Sequence, residues 1–195
     1  MLGFFLTCDA AELSAPVGPI ASLEGVSLAL GQDFTAAAES VVLGAGHQVS
    51  AQRVRVESTL GNGLVIQAPQ GRLDAQGRLL VLEGGVEVRG ADVAIRSREV
   101  SLQYDSSNRL VGIEARGEVQ AAGAYSGDGE EMAPVWTATG EMASVDWLLG
   151  VVQLQGNARL TERSMVLLGG VVEIPLDGKE PTCKGCEALG ALGTE

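Results

Sequence analysis

Few side chains in this sequence could do chemistry, and the cysteines come first. Cys183-Lys184-Gly185-Cys186 is a C-x-x-C pair, with Cys8 as the third cysteine. A structural zinc site needs four ligands, so one such pair is half a site. The single histidine, His47, stands far from it in the chain. Haem attachment requires His directly after the second cysteine, where Glu187 stands, and a thioredoxin-type exchange needs a βαβ setting. Asp74, Asp105 and Asp146 are followed three or four residues later by Gly77, Asn108 and Gly150. That is turn spacing: Asp opens a type I turn by bonding the backbone ahead of it, and Gly or Asn closes it in a left-handed conformation. Trp136 and Trp147 stand beside no nucleophile elbow, phosphate loop or ligand cluster. The expectation is a protein with no catalytic residues, no metal and no cofactor.

The elements that carry these residues are those of one domain of 195 residues, long enough for a core without staples. Hydrophobic residues at 46% argue against disorder, while aromatics are only 4%. Gly, at 27 residues, is about twice its usual ~7% share. A net charge of −12 opposes binding to a nucleic-acid backbone, which needs clustered cations. No apolar run reaches the ~18 residues of a membrane-spanning helix, and the domain reads as soluble.

The hydrophobic period is two. Val26, Leu28 and Leu30 alternate with Ser27 and Ala29, and Val54 and Val56 with Arg53, Arg55 and Glu57. The alternation continues through Ile66, Leu80, Leu82, Val86, Val88, Val93, Ile95, Val100, Leu102, Tyr104, Ile113, Val119, Val152 and Leu154. Successive strand side chains point to opposite faces, so this pattern makes one apolar inner face, the mark of antiparallel sheets. A helical stripe is readable only around residues 36–43. The fold class is all-β, built from consecutive antiparallel hairpins.

The chain also repeats itself. GRLDAQGRLLVLEGGVEVR (71–89), VSLQYDSSNRLVGIEARGEVQ (100–120) and MASVDWLLGVVQLQGNARL (142–160) each hold a strand, an Asp, a short turn, a second strand and a glycine step into a third. The aspartates are 31 and 41 residues apart. Coils of a parallel β-helix need similar lengths, whereas a meander tolerates long tips, and GAYSGDGEEMAP (123–134) reads as such a tip. A bactofilin-like structural polymer is the alternative that also fits β repetition and few aromatics. A generic β-sandwich assembly module is another.

IQAPQGRLDAQGRLLVLEGGVEVRGADVAIRSREVSLQYD (66–105) resembles the periplasmic lipopolysaccharide-export proteins with the OstA-like β-jellyroll, and within that group it is most similar to the LptC type. PIASLEGVSLAL (19–30) and AAAESVVL (36–43) are similar to the opening of the LptC type. WTATGEMASVDWLLGVVQLQGNARL (136–160) is more similar to the LptA-type repeat with its G-N-x-x-L step. The resemblance covers 17–175 and implies an open jellyroll whose interior carries lipid A acyl chains. The residues of the inner face named above, from Val54 to Leu154, would then line the lipid site. Headgroups would stay in solvent or meet Arg72, Arg78, Arg96 and Arg98. Partners would be lipopolysaccharide, the inner-membrane transporter complex and other jellyrolls of the export bridge, joined edge to edge. A homo-oligomer formed by strand addition fits the same geometry. The same face would equally serve as the closed core of a sandwich.

The resemblance also frames both termini. MLGFFLTC (1–8) is similar to the end of a lipoprotein signal, which makes Cys8 a lipid anchor at the inner membrane; the other reading is a frayed apolar terminus with a free thiol. Residues 1–16 are thus expected to be signal and linker. In an oxidising periplasm Cys183 pairs with Cys186. Residues 176–195 are expected to form a flexible tail, and the open sheet edges to lie at 26–30 and 166–174.

Overall fold

The computed structural model describes residues 6–7, 10–13, 21–30, 34–44, 48–58, 64–74, 78–90, 93–106, 110–123, 136–146, 150–162, 165–175 and 181–189. Cys8, His47, Trp147 and the expected hairpin tip beyond Gly123 lie outside the described residues. Two short strands come first, β1 (Leu6–Thr7) and β2 (Ala10–Leu13). Eight long ones follow: β3 (Ala21–Leu30), β4 (Phe34–Leu43), β5 (Gln48–Ser58), β6 (Val65–Asp74), β7 (Leu79–Arg89), β8 (Val93–Tyr104), β9 (Leu110–Gly123) and β10 (Trp136–Asp146). The chain then uses short strands again: β11 (Val151–Gln155), β12 (Arg159–Glu162), β13 (Met165–Leu168), β14 (Val171–Pro175), β15 (Thr182–Lys184) and β16 (Glu187–Leu189). From β3 to β10 each strand pairs antiparallel with the next, and the whole forms one sheet. Antiparallel pairing of sequence neighbours excludes the parallel coils of a bactofilin-like polymer.

The helical stripe at 36–43 is corrected: these residues belong to β4. Alanine's helix preference amounts to tenths of a kcal/mol per residue. Ladders to β3 on one side and β5 on the other satisfy the backbone there and override it.

Halfway along the long strands the inward side chains change parity. β8 buries Val93, Ile95 and Ser97, then Val100 and Leu102; β10 buries Trp136 and Ala138, then Ala143. The ladders shift register at the same places, between Gln67 and Gln70, Glu83 and Val86, Arg96 and Glu99, and Gly140 and Met142. Left-handed backbone accompanies the shifts at Gly25, Arg53, Gly84, Gly85, Gly117, Glu118, Gly156, Asn157, Gly169, Gly170 and Gly185. Followed through the strand register, these positions join into one line across the sheet, with Glu39, Pro69, Arg98 and Glu141 as their neighbours on β4, β6, β8 and β10. A bulge bends its strand and re-aims the side chains beyond it. The line is therefore a fold in the sheet, and it separates β11 from β12, β13 from β14 and β15 from β16.

The fold brings two halves together. Val56, Ile66 and Val119 on one side of the line, and Leu82, Val100, Leu102 and Leu154 on the other, are all 0% exposed and belong to one apolar cluster. The described residues hold one sheet and no helix, so each half is the cover for the other. Leu23, Val26 and Val41 form a small second cluster toward the N-terminal edge.

Both sheet edges lie further out than expected. β3 is already paired by β1 and β2, and β14 and β13 by β15 and β16. The segment expected as a tail thus contributes two strands. Pro175 ends β14 opposite Val151, and the chain returns to pair again seven residues later.

Candidate functional site: the apolar interior

The residues read from alternation converge on one place. Val54, Val56, Ile66, Leu80, Leu82, Val86, Val88, Val93, Ile95, Val100, Leu102, Ile113, Val119, Val152 and Leu154 are buried in a single cluster, and Tyr104 packs against it. They come from β5 to β11 and from both halves of the sheet. Several members were missed: Phe34, Leu64, Trp136, Leu160, Val172 and Ile174, with alanines at 36, 68, 115, 121, 138, 143 and 158. Alanine gives little hydrophobic signal, Leu160 lies on a strand too short to alternate visibly, and Val172 and Ile174 are expected at an open edge and not in the interior. The parity change conceals others, since a two-residue period read straight through the fold line places the next residue on the wrong face.

The interior is aliphatic, and its aromatic members sit at strand ends. Phe34 opens β4, Trp136 opens β10 and Tyr104 closes β8, each at the end remote from the fold line. Ser97 is the buried polar side chain among the described residues, and its hydroxyl donates to the Glu99 carbonyl at 3.0 Å within the β8 bulge. The Tyr104 backbone N–H donates to the Arg78 carbonyl at 3.0 Å. Its phenol oxygen is shielded from solvent and has no hydrogen-bond partner among the described residues. Burial pushes the phenol above its ordinary pKa.

The outer face is charged and internally matched. Arg89 bonds both Glu87 oxygens at 3.0 Å and Arg96 adds a contact at 3.2 Å. The Arg89 bond foremost holds the Glu87 carboxyl below the usual carboxylate range; desolvation opposes it, and the Arg96 bond adds a smaller downward push. Glu114, 2.6 Å away, raises the Arg116 guanidinium in turn. Three of the four arginines expected to meet headgroups are already engaged: Arg72 with Glu83, Arg96 with Glu87, Arg98 with Glu118. Cross-strand neighbours are close enough for such pairs to form. A shallow outer cleft of about 450 Å³, bordered by Arg53, Arg55, Gln67, Pro69, Gly85 and Glu87, lies on the fold line. Cys183 and Cys186 form a disulfide across Gly185, with Cα atoms 5.7 Å apart. Among the described residues no group of three His, Cys, Asp or Glu could hold a metal. The arrangement is a closely packed aliphatic interior, and its described residues bring no reacting groups together.

Comparison with known proteins points the same way. The family model for "LptA/(LptD N-terminal domain) LPS transport protein" matches residues 65–180, from β6 to beyond β14. No curated protein matches the chain. Among solved structures it is similar to LptH of Pseudomonas aeruginosa, described as the LptA homologous periplasmic component of the lipopolysaccharide transport device. The identity is 16%, the TM-score 0.51, and the alignment covers 63% of this chain and 82% of that one. The family match includes the segment read as LptC-like, and it is of the LptA and LptD type.

Proposed function

The chain belongs to the LptA/(LptD N-terminal domain) family of LPS transport proteins, and from that premise we propose that it shelters lipid A acyl chains between the two halves of its folded sheet. It works in the periplasm and passes the lipid to the next jellyroll across a sheet edge. Membership of a transport family, not of an enzyme family, supports a non-catalytic role. The observation that carries the reading is the aliphatic cluster running unbroken from β4 to β14 across both halves. Hydrocarbon transfer contributes about 0.8 kcal/mol per methylene, so one partly inserted chain supplies several kcal/mol.

The interior side chains pack on one another, so a chain enters by parting the halves about the fold line. Displaced valines and leucines exchange protein contacts for lipid contacts at similar hydrophobic energy, which keeps that opening inexpensive. Edge-to-edge passage would use β15 and β16, whose outer backbone groups offer a template for strand addition. A lipid on Cys8 would add an inner-membrane anchor, and the intact mass of the envelope-derived protein reads it directly.

Photocrosslinking probes test the site. Probes at Val88 or Leu102 should label lipid A, while probes at the outward Glu87 or Gln103 should not. Labelling confined to the outward positions would place the lipid on the surface and end the interior reading.

A further inference from the structure

We propose that the Tyr104 hydroxyl is a ligand-positioning group, which donates a hydrogen bond to the acyl-linkage carbonyl of a lipid seated between the two halves. The inference rests on the interior being the lipid site and adds where along the ligand the polar boundary falls.

Three observations support it. First, the hydroxyl is withdrawn from solvent yet has no hydrogen-bond partner among the described residues. Buried polar groups are paired in the great majority of cases, and an orphan hydroxyl is a cost the fold bears for some reason. Second, the ring is fixed. It packs against the apolar cluster, and the Tyr104 N–H donates to the Arg78 carbonyl at 3.0 Å, which carries the β7–β8 ladder to the last residue of β8. Swinging the hydroxyl out to water would strip the ring of its contacts with that cluster.

Third, the place is right for an amphiphile. Tyr104 closes β8 at the end remote from the fold line, as Phe34 and Trp136 lie at the remote ends of β4 and β10. A sheet folded along one line parts most readily opposite that line, so these aromatic ends border the seam where the halves would part, while valines and leucines fill the depth. Tyrosine suits such a boundary, with an apolar ring and one polar tip. A lipid entering tails first leaves its linkage at this border. A carbonyl there meets a buried side-chain donor that lacks an acceptor among the described residues, and a plain hydrocarbon leaves it unpaired.

The test compares two analogues of one glycolipid with equal chains, one acyl-linked and one alkyl-ether-linked. The wild-type protein should prefer the acyl form, and Tyr104→Phe should weaken its binding by roughly threefold to tenfold, the range of one net hydrogen bond. The variant should bind the ether form unchanged. Because the hydroxyl is orphaned in the empty protein, Tyr104→Phe should leave Tm equal or raise it. A variant that keeps the full acyl preference overturns the assignment and leaves the interior lipid site standing. A lowered Tm overturns it as well, because it reveals an existing partner. Wild-type protein that binds neither analogue removes the lipid site and this role together.

Discussion

Gly170 and Gly150 hold nearly the same backbone, with φ of 60° and 63°, but in different surroundings. A Cβ on Gly150 meets nothing within 4 Å, whereas one on Gly170 would overlap the Lys184 carbonyl oxygen and stand 2.8 Å from the Gly185 carbonyl carbon. Left-handed backbone costs an L-residue about 1–2 kcal/mol, so Gly150→Ala should cost about that much in urea denaturation. Gly170→Ala adds a backbone clash that no rotamer relieves, and should cost at least about 2 kcal/mol more by dislodging β15. Equal losses would mean that β15 gives way freely. Arg53, Glu118 and Asn157 take the same strained conformation on the fold line, and each bonds a side chain on the adjacent strand: Glu39, Arg98 and Glu141. Cross-strand polar contacts thus accompany strain that glycine alone would have avoided.

At the scale of elements, most of the strands could be read from period-two alternation, because a half-buried strand cannot hide its parity. The fold line left a trace too, as the glycine step in each repeat: Gly84-Gly85, Gly117 and Gly156. Its meaning was not readable from residues alone, since a glycine after a hairpin fits a bulge, a turn or a corner equally. What identifies a corner is the alignment of every step with its neighbours, which depends on register. The edges were misplaced for a similar reason. Val166, Val172 and Ile174 read as a final strand, while Cys183 sits in a three-residue strand with Thr182 and Lys184 exposed beside it, too short to show any period. Three-residue strands gain little from burial, and the disulfide across Gly185 compensates by limiting their freedom when detached. Closing so small a loop is worth about 2 kcal/mol at most in chain entropy. Replacing both cysteines by serine should therefore accelerate amide exchange in β15 and β16 and leave β7 to β9 as protected as before. Faster exchange throughout the sheet would mean that the last two strands are integral to the core.

Across the whole molecule, charge and apolar surface are kept apart, and the separation makes a demand on an anionic ligand. The interior holds the hydrocarbon-like face, while the outer face carries the carboxylates that make the net charge −12. Arg72, Arg96, Arg98 and Arg116 are each matched to a glutamate, so their fields are cancelled close to the surface. On the proposed function, a phosphorylated glycolipid approaches a protein that repels it at long range and holds it only once its chains part the two halves. Raising ionic strength from about 0.01 M to about 0.15 M shortens the Debye length from about 30 Å to about 8 Å and screens that repulsion. The association rate for lipid A should accordingly rise with salt, measured by stopped-flow mixing. An uncharged analogue with the same chains serves as control, because salt also strengthens apolar transfer, and it should rise less. A rate for lipid A that falls with salt would require a cationic landing surface, and the paired arginines would then have to exchange their glutamates for phosphate on arrival. The two outcomes separate a carrier that selects by hydrocarbon from one that selects by headgroup, and the matched outer face favours the first.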